Sequence, residues 1–282
     1  MTPPPSIAVL LRTGAAALGA HSESPRLDAE LLLGAVLGCG RAALIARGAD
    51  PVESAAGRRF EALIESRRQG VPVAYLTGTR EFWSLRLAVT PAVLVPRPET
   101  ETLVEAALAH VPLERECRVL DLGTGSGALA LALASERPHA RVIGTDVSPD
   151  ALEVARANGL ALGLSRVEWR LGSWFEAVAG ARFEVIVSNP PYVAADDPAM
   201  ASLRREPALA LTPGPTGLEA FARIVGGAPS HLSDGGVLAL EHGAAQAPDV
   251  AALMTAHGFH GIETLRDQAG LPRVTLGFLI SQ

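Results

Sequence analysis

From Arg118 onwards the chain alternates between two kinds of segment, and that alternation limits the fold more than any other feature. "RVLDLG" reads as a strand and "SGALALALASE" as a helix; "RVIGTDVS" follows as a strand and "PDALEVARANGLALG" as a helix with Pro149 near its start. "VEWRLGS" and "FEVIVSN" are further strands, and a helix from about Gly217 to Leu232 precedes the strand "GGVLALEHG". Strands separated by helices pair in parallel, with helices on both faces of the sheet. After one more helix, "GFHGIETLRD" and "PRVTLGFL" have no helix between them, so this closing pair is expected to be antiparallel.

The front of the chain is different. "SPRLDAELLLGAVLG" starts with Ser24 as N-cap and Pro25 at the first helical position, and "DPVESAAGRRFEALIESRRQG" repeats the device with Asp50 and Pro51, ending at Gly70. Phe60, Leu63 and Ile64 share one face of that second helix. Short alternating runs and three prolines in "YLTGTREFWSLRLAVTPAVLVPRPETE" suggest a hairpin-like connection. The expected organisation is a small helical bundle over 1–72 that braces the rest or holds a partner, a connection over 73–101, and an α/β domain over 102–282.

Composition narrows the chemistry. With 48% hydrophobic residues in 282, a sizeable core is expected. No apolar run approaches a membrane span, and the apolar stretch near the N-terminus has no basic residue before it, so neither a membrane anchor nor a signal peptide is expected. Cys39 and Cys117 are far apart, which makes a disulfide framework improbable and a reduced cytoplasmic setting the default. The chain contains no lysine, and all 24 cationic side chains are arginine; a Walker lysine or a Schiff-base lysine is impossible. A net charge of −6 argues against non-specific grip on long nucleic acid. The seven histidines are scattered without zinc-like spacing, so no metal is expected.

"VLDLGTGSGALALA" places Asp121, Gly123, Thr124, Gly125, Ser126 and Gly127 between a strand and a helix, and Asp146 closes the next strand. Glycines let the backbone turn sharply and approach a ligand, and a strand-end carboxylate accepts hydrogen bonds from two ribose hydroxyls. Gly123, Gly125 and Ala128 satisfy the dinucleotide fingerprint G-x-G-x-x-G/A. S-adenosylmethionine is the other candidate: it has a ribose but no pyrophosphate, and an acid two residues before the first glycine suits its cationic end. From this loop alone both remain open.

"FEVIVSNPPY" ends a buried strand with Asn189, Pro190, Pro191 and Tyr192, where an open α/β sheet binds its ligand. A planar amide or aromatic amine is a poor nucleophile because its lone pair is delocalised. A useful site holds both of its N–H groups. The Asn189 side-chain oxygen can accept one and the Pro190 carbonyl the other, on a backbone that proline stiffens, while Tyr192 packs on the flat face.

Together "DLGTGSG", Asp146, "SWF" and "SNPPY", with "VAYLTGTREFW", "VLVPRPETE", "LALEHG" and "RVTLG", resemble the release-factor glutamine N5-methyltransferases (PrmC/HemK) along nearly the whole chain. The resemblance implies a Rossmann-like S-adenosylmethionine-dependent methyltransferase domain behind a small helical domain. It implies methylation of the glutamine of the GGQ motif in class I peptide-chain release factors, with S-adenosylhomocysteine as co-product. Gly123 to Gly127 would line the methionine part of the cofactor, Asp146 hold the ribose, and Trp174 lie near the adenine; Asn189 to Tyr192 would receive the glutamine. Arg97 and Glu99 would shape the pocket or contact the cofactor, and a loop at Glu206-Pro207 would close over the substrate. A cytoplasmic monomer is expected. The rivals are a ribosomal-protein glutamine N5-methyltransferase, an adenine-N6 nucleic-acid methyltransferase and an NAD-dependent dehydrogenase.

Overall fold

The computed structural model describes residues 4–280, which divide into two compact units, one ending at Thr79 and one beginning at Arg80. The segment expected to connect two domains is therefore split between them. The first unit is a bundle of α1 (Ile7–Leu18), α2 (Pro25–Leu37), α3 (Arg41–Ala46), α4 (Ser54–Arg68) and α5 (Val73–Thr77). Leu10, Leu11, Leu32, Leu33, Leu44, Phe60 and Ile64 form its core. Helices α1 and α4 approach closely at Gly14, where a Cβ would stand 2.6 Å from the Phe60 ring. Two buried acids on α2 are neutralised in place: Asp28 accepts from Arg67 at 2.7 Å and Glu30 from Arg26 and Arg41 at 2.6 and 2.8 Å.

Helix α4 begins at Ser54, later than the Asp50-Pro51 pair suggests. Pro51 instead pairs with Ser6 in an isolated antiparallel bridge, and the Val52 N–H donates to the Pro5 carbonyl at 2.9 Å. Burial of Val52 in the bundle keeps this segment extended, a tertiary demand that overrides a local helix-start signal.

The second unit opens with a hairpin, β1 (Thr79–Phe82) and β2 (Leu85–Ala88). There follow α6 (Glu101–Leu108), β3 (Cys117–Leu122), α7 (Ala128–Glu136), β4 (Ala140–Asp146), α8 (Pro149–Ala161), β5 (Glu168–Leu171) and β6 (Phe183–Ser188). Then come α9 (Met200–Leu203), α10 (Glu219–Gly227), β7 (Leu232–Glu241), α11 (Ala247–Ala256), β8 (Phe259–Arg266) and β9 (Pro272–Leu279). The seven-stranded sheet runs β5-β4-β3-β6-β7-β9-β8, parallel as far as β7 and antiparallel at β9 and β8, as the missing helix in the closing pair requires.

Side chains of a strand alternate between faces. Val119, Val185, Val187, Val237 and Ala239 share a core with α6 and α7, whereas Leu120, Leu122, Ile186, Leu238 and Leu240 share one with α10 and α11. This parity carries to the ends of the strands. Asp121, Asn189 and Glu241 fall on the face of α6 and α7, which decides what each can touch.

One polar side chain ties the hairpin to the sheet. Asn158 of α8 is buried, and its Oδ1 accepts from the Ala88 N–H at 2.7 Å. Its Nδ2 donates to the Ala88 carbonyl at 3.0 Å and to the Ser126 carbonyl at 2.9 Å. Removing it leaves three main-chain groups without partners in a place water reaches poorly. We expect Asn158→Ala to lower unfolding stability by about 2–3 kcal/mol, read as a shift in the urea midpoint at unchanged slope. An unchanged midpoint would mean that water replaces the amide at no cost.

Candidate active site

Strand order reverses between β3 and β6, because β4 and β5 lie on one side of β3 while β6 and β7 lie on the other. Open α/β sheets bind ligands at the carboxyl ends of the strands flanking such a point. Leu122 pairs with Thr145 of β4 and with Ser188 of β6, and Ser188 pairs with Leu240 of β7. The residues one step further, Asp146, Gly123, Asn189 and Glu241, consequently form a row across four strands. A cavity of about 410 Å³ opens above it.

The glycine loop forms the floor. Gly123 and Gly125 have φ of +73° and +55°, and around an added Cβ nothing would lie closer than Trp174 at 4.0 Å and nothing within 4 Å, respectively. Their glycine requirement is conformational, and the space a Cβ would take is the cavity's own. Gly127 differs. Its φ is +82°, and a Cβ would meet the Trp169 ring at 2.8 Å, so it serves packing between helix and sheet and does not line the cavity.

Asp121 also stands behind the wall. Parity turns it under α7, where its Oδ2 accepts from the Thr124 hydroxyl at 2.6 Å and from the Ala130 N–H, in the first turn of α7, at 3.2 Å. Its Oδ1 is buried without a partner, and burial pushes the carboxyl up to about 7 against those two donors. A carboxylate at a helix N-terminus occupies the electrostatic position that a pyrophosphate would need. The arrangement favours a ligand with a cationic end over a dinucleotide.

Asp146 faces the cavity with both oxygens oriented by main-chain donors, Oδ2 by Gly125 N–H and Oδ1 by Ser148 N–H, each at 2.9 Å. Each oxygen retains a lone pair for a ligand hydroxyl. Trp174 lines the same end and holds φ at +49°, a conformation that costs a non-glycine residue free energy.

At the other end Asn189 lines the cavity, its Nδ2 donating to the Thr100 hydroxyl at 3.2 Å. With the amide nitrogen engaged, Oδ1 is the end left to accept from a ligand. Pro191 lines the cavity, whereas Pro190 is buried beneath it. Tyr192 does not form part of the wall: its ring packs in the core beside α10, and its hydroxyl donates to Glu241 Oε1 at 3.3 Å. Burial and the neighbouring Glu241 charge push that phenol above its ordinary range. Of the residues singled out from sequence, the cavity thus unites Arg97, Gly123, Thr124, Gly125, Ser126, Ala128, Asp146, Trp174, Asn189, Pro191 and Pro207, while Asp121, Gly127, Pro190 and Tyr192 do not line it.

Two residues lie inside quoted motifs without standing out there. Thr100 of "VLVPRPETE" lines the cavity and holds Asn189, and Glu241 of "LALEHG" lies behind it; an acid closing the apolar run "VLALE" was the available sign, since buried carboxylates are paired or functional. Among the described residues, the side-chain atoms buried without partners are one oxygen each of Asp121, Glu219 and Glu241. Glu219 lines the cavity, and the other two sit immediately behind it.

The roof comes from 207–213 and from Ala92 to Arg97. They are joined by Glu206, buried, which accepts from the Val95 N–H at 3.1 Å and pairs with the Arg97 guanidinium. Arg97 therefore holds a loop and is not merely a pocket wall; Glu99 is not among the lining residues. We expect Arg97→Ala, which strands a buried carboxylate, to speed tryptic cleavage after the exposed Arg204 severalfold. Unchanged cleavage would show that the pair does not hold the roof.

Comparison with known proteins agrees with this architecture. Residues 10–78 match the PrmC N-terminal domain, and residues 100–214 match the methyltransferase small domain. A methyltransferase structure from Pyrococcus furiosus has a TM-score of 0.54 at 21% identity, covering 70% of this chain and 90% of that one, which speaks to the fold alone. The release factor glutamine methyltransferase of Xylella fastidiosa is 50% identical over 254 residues, 89% of this chain and 92% of that protein. The protein of the same description from Escherichia coli is 46% identical over 258 residues, 91% of this chain and 93% of its own length. With such identity sustained along almost the whole of each relative, the chain belongs to the release factor glutamine methyltransferase family.

Proposed function

We propose that this enzyme transfers a methyl group from S-adenosyl-L-methionine to the side-chain amide nitrogen, N5, of the glutamine in the GGQ motif of class I peptide-chain release factors. The observation that carries the reading is the Asn189 amide, which lines the cavity one strand away from the glycine loop and whose nitrogen is engaged by Thr100, leaving Oδ1 as the end free to accept. That acceptor suits an incoming –NH2 group, and the described name of the relatives supplies the class of protein that bears it.

The residues present fit the cofactor. The open space over Gly125 admits close approach, and Asp146 retains lone pairs for a ribose. When bound, S-adenosylmethionine supplies an electrophilic methyl group on a sulfonium. Everything else is placement by the protein. Asn189 Oδ1 and the Pro190 carbonyl accept the two amide hydrogens, which turns the nitrogen towards the methyl donor. Orientation at a near-attack distance does what a strong base would otherwise have to do, and the Arg97–Glu206 pair holds together the two segments that cover the cavity.

Asp121, Gly127, the Pro190 ring and Tyr192 are read here as the frame that holds the lining residues in position, with the Pro190 carbonyl alone turned to the substrate. The helical unit of α1 to α5 is read as the part that receives the release factor, because the α/β unit already contains the whole cavity. A monomer suits an enzyme that must embrace a macromolecule, and a substrate used in translation points to the cytoplasm. No helix among the described residues is long and apolar enough to cross a membrane.

Incubation with methyl-labelled S-adenosylmethionine and an intact release factor, followed by peptide mass spectrometry, should place the label on the GGQ glutamine. Label on a ribosomal protein or on DNA instead would overturn the partner. Asn189→Ala should slow transfer more than about tenfold, about 1.4 kcal/mol of barrier, while cofactor affinity stays within about twofold. Equal losses in both would undermine the role of Asn189. Asp146→Ala should weaken cofactor binding about tenfold by calorimetry, as expected for a lost charge-assisted acceptor. Unchanged affinity would remove Asp146 from the ribose site.

A further inference from the structure

At the Asn189–Glu241 end of the row lies a buried polar cluster that the transfer reaction does not itself call on. Glu241 ends β7 on the face of α6, almost wholly enclosed, with Oε1 taking the Tyr192 hydroxyl at 3.3 Å and Oε2 unpartnered. The Thr100 hydroxyl stands beside it and favours its charged form. That hydroxyl also accepts from Asn189 Nδ2, so its single hydrogen has to be placed elsewhere. A buried carboxylate with a vacant lone pair is the acceptor at hand.

We propose that Glu241 is a positioning residue: acting through the Thr100 hydroxyl, its carboxylate fixes which end of the Asn189 amide faces the cavity. The inference rests on the reading of Asn189 given above. With Glu241 charged, the Thr100 hydrogen points to the carboxylate, its lone pair receives Nδ2–H, and Oδ1 is presented to the substrate amide. With Glu241 protonated, the acid can donate to Thr100 Oγ1. The Thr100 hydrogen is then free to bond Asn189 Oδ1, and the side-chain amide turns over. Its NH2 would then meet the substrate NH2, donor against donor, and the substrate nitrogen would lose its orientation.

The surroundings decide where this happens. Burial raises the Glu241 carboxyl to about 7, opposed by the Thr100 hydroxyl, the Arg273 guanidinium of β9 and the Tyr192 hydroxyl, and assisted by Glu99. Arg273 is itself paired with Asp267 at 3.1 Å and donates to the His242 carbonyl at 3.3 Å. His242 follows Glu241 in the chain and is held below its ordinary range by burial. Because the folded carboxyl titrates above its ordinary 4.5, its contribution to stability is fully present below 4.5 and is lost as pH rises through about 7. The rate should move the opposite way, rising with pH through about 7 as the carboxylate forms. A purely structural Glu241 would show the first trend without the second.

The experiment is the pH profile of kcat for transfer to an intact release factor, with S-adenosylmethionine saturating, for the wild-type protein and three variants. Asp121 is also raised to about 7, so only the difference between profiles is assigned to Glu241. We expect Glu241→Gln and Thr100→Val each to lower kcat about tenfold at pH 8 and to flatten the acid limb, with cofactor affinity by calorimetry held within about twofold. Thr100→Ser, which keeps the hydroxyl, should recover most of the rate and the limb that Thr100→Val loses. An acid limb that persists unchanged in Glu241→Gln or in Thr100→Val would overturn the proposal. If Glu241→Gln fails to fold, the Thr100 pair decides alone. A wild-type protein that methylates no glutamine of the release factor would overturn the function reading itself, a different failure.

Discussion

Everything in the α/β unit depends on the register of four parallel strands. Because Leu122 is opposite both Thr145 and Ser188, and Ser188 opposite Leu240, the residues at the carboxyl ends of β4, β3, β6 and β7, namely Asp146, Gly123, Asn189 and Glu241, arrive side by side. A shift of one residue in any strand would exchange its faces and send the terminal polar group to the opposite layer. The apolar content of these strands fixes the register, since each buries valine on one face and leucine or isoleucine on the other. Site geometry is thus set by the core, and the polar residues at its edge are carried into place.

Much of this was legible from sequence. Alternation of strand and helix gave the layers, and the absence of a helix between β8 and β9 gave their antiparallel pairing. The glycine loop, Asp146, Trp174 and Asn189 all reach one cavity. What a motif does not contain is the direction of each side chain. Asp121 looked like a ligand contact but points beneath α7, and Tyr192 looked like a platform but bonds Glu241. Thr100 was invisible because its partner Asn189 is 89 positions away, and no local pattern encodes a contact of that separation. The start of α4 misled for a related reason: a cap sequence competes with the burial of Val52, and burial won.

The site distributes its charges with some economy. Three carboxylates serve the loop and strand ends, yet only Asp146 lies in the cavity wall; Asp121 and Glu241 act from behind it. A buried acid is costly unless hydrogen bonds compensate it, and each of these is only partly compensated. Such incomplete satisfaction is uncommon in a relaxed core.

Asn158 has an effect beyond holding the hairpin to α8. A two-stranded ribbon exposes main-chain donors and acceptors along its outer edges, and such edges invite a strand from another molecule. The side-chain amide of Asn158 takes both the N–H and the carbonyl of Ala88, as a neighbouring strand would. One asparagine thus imitates the peptide group of a missing neighbour, and the hairpin ends against its own protein with that position closed to a stranger's backbone.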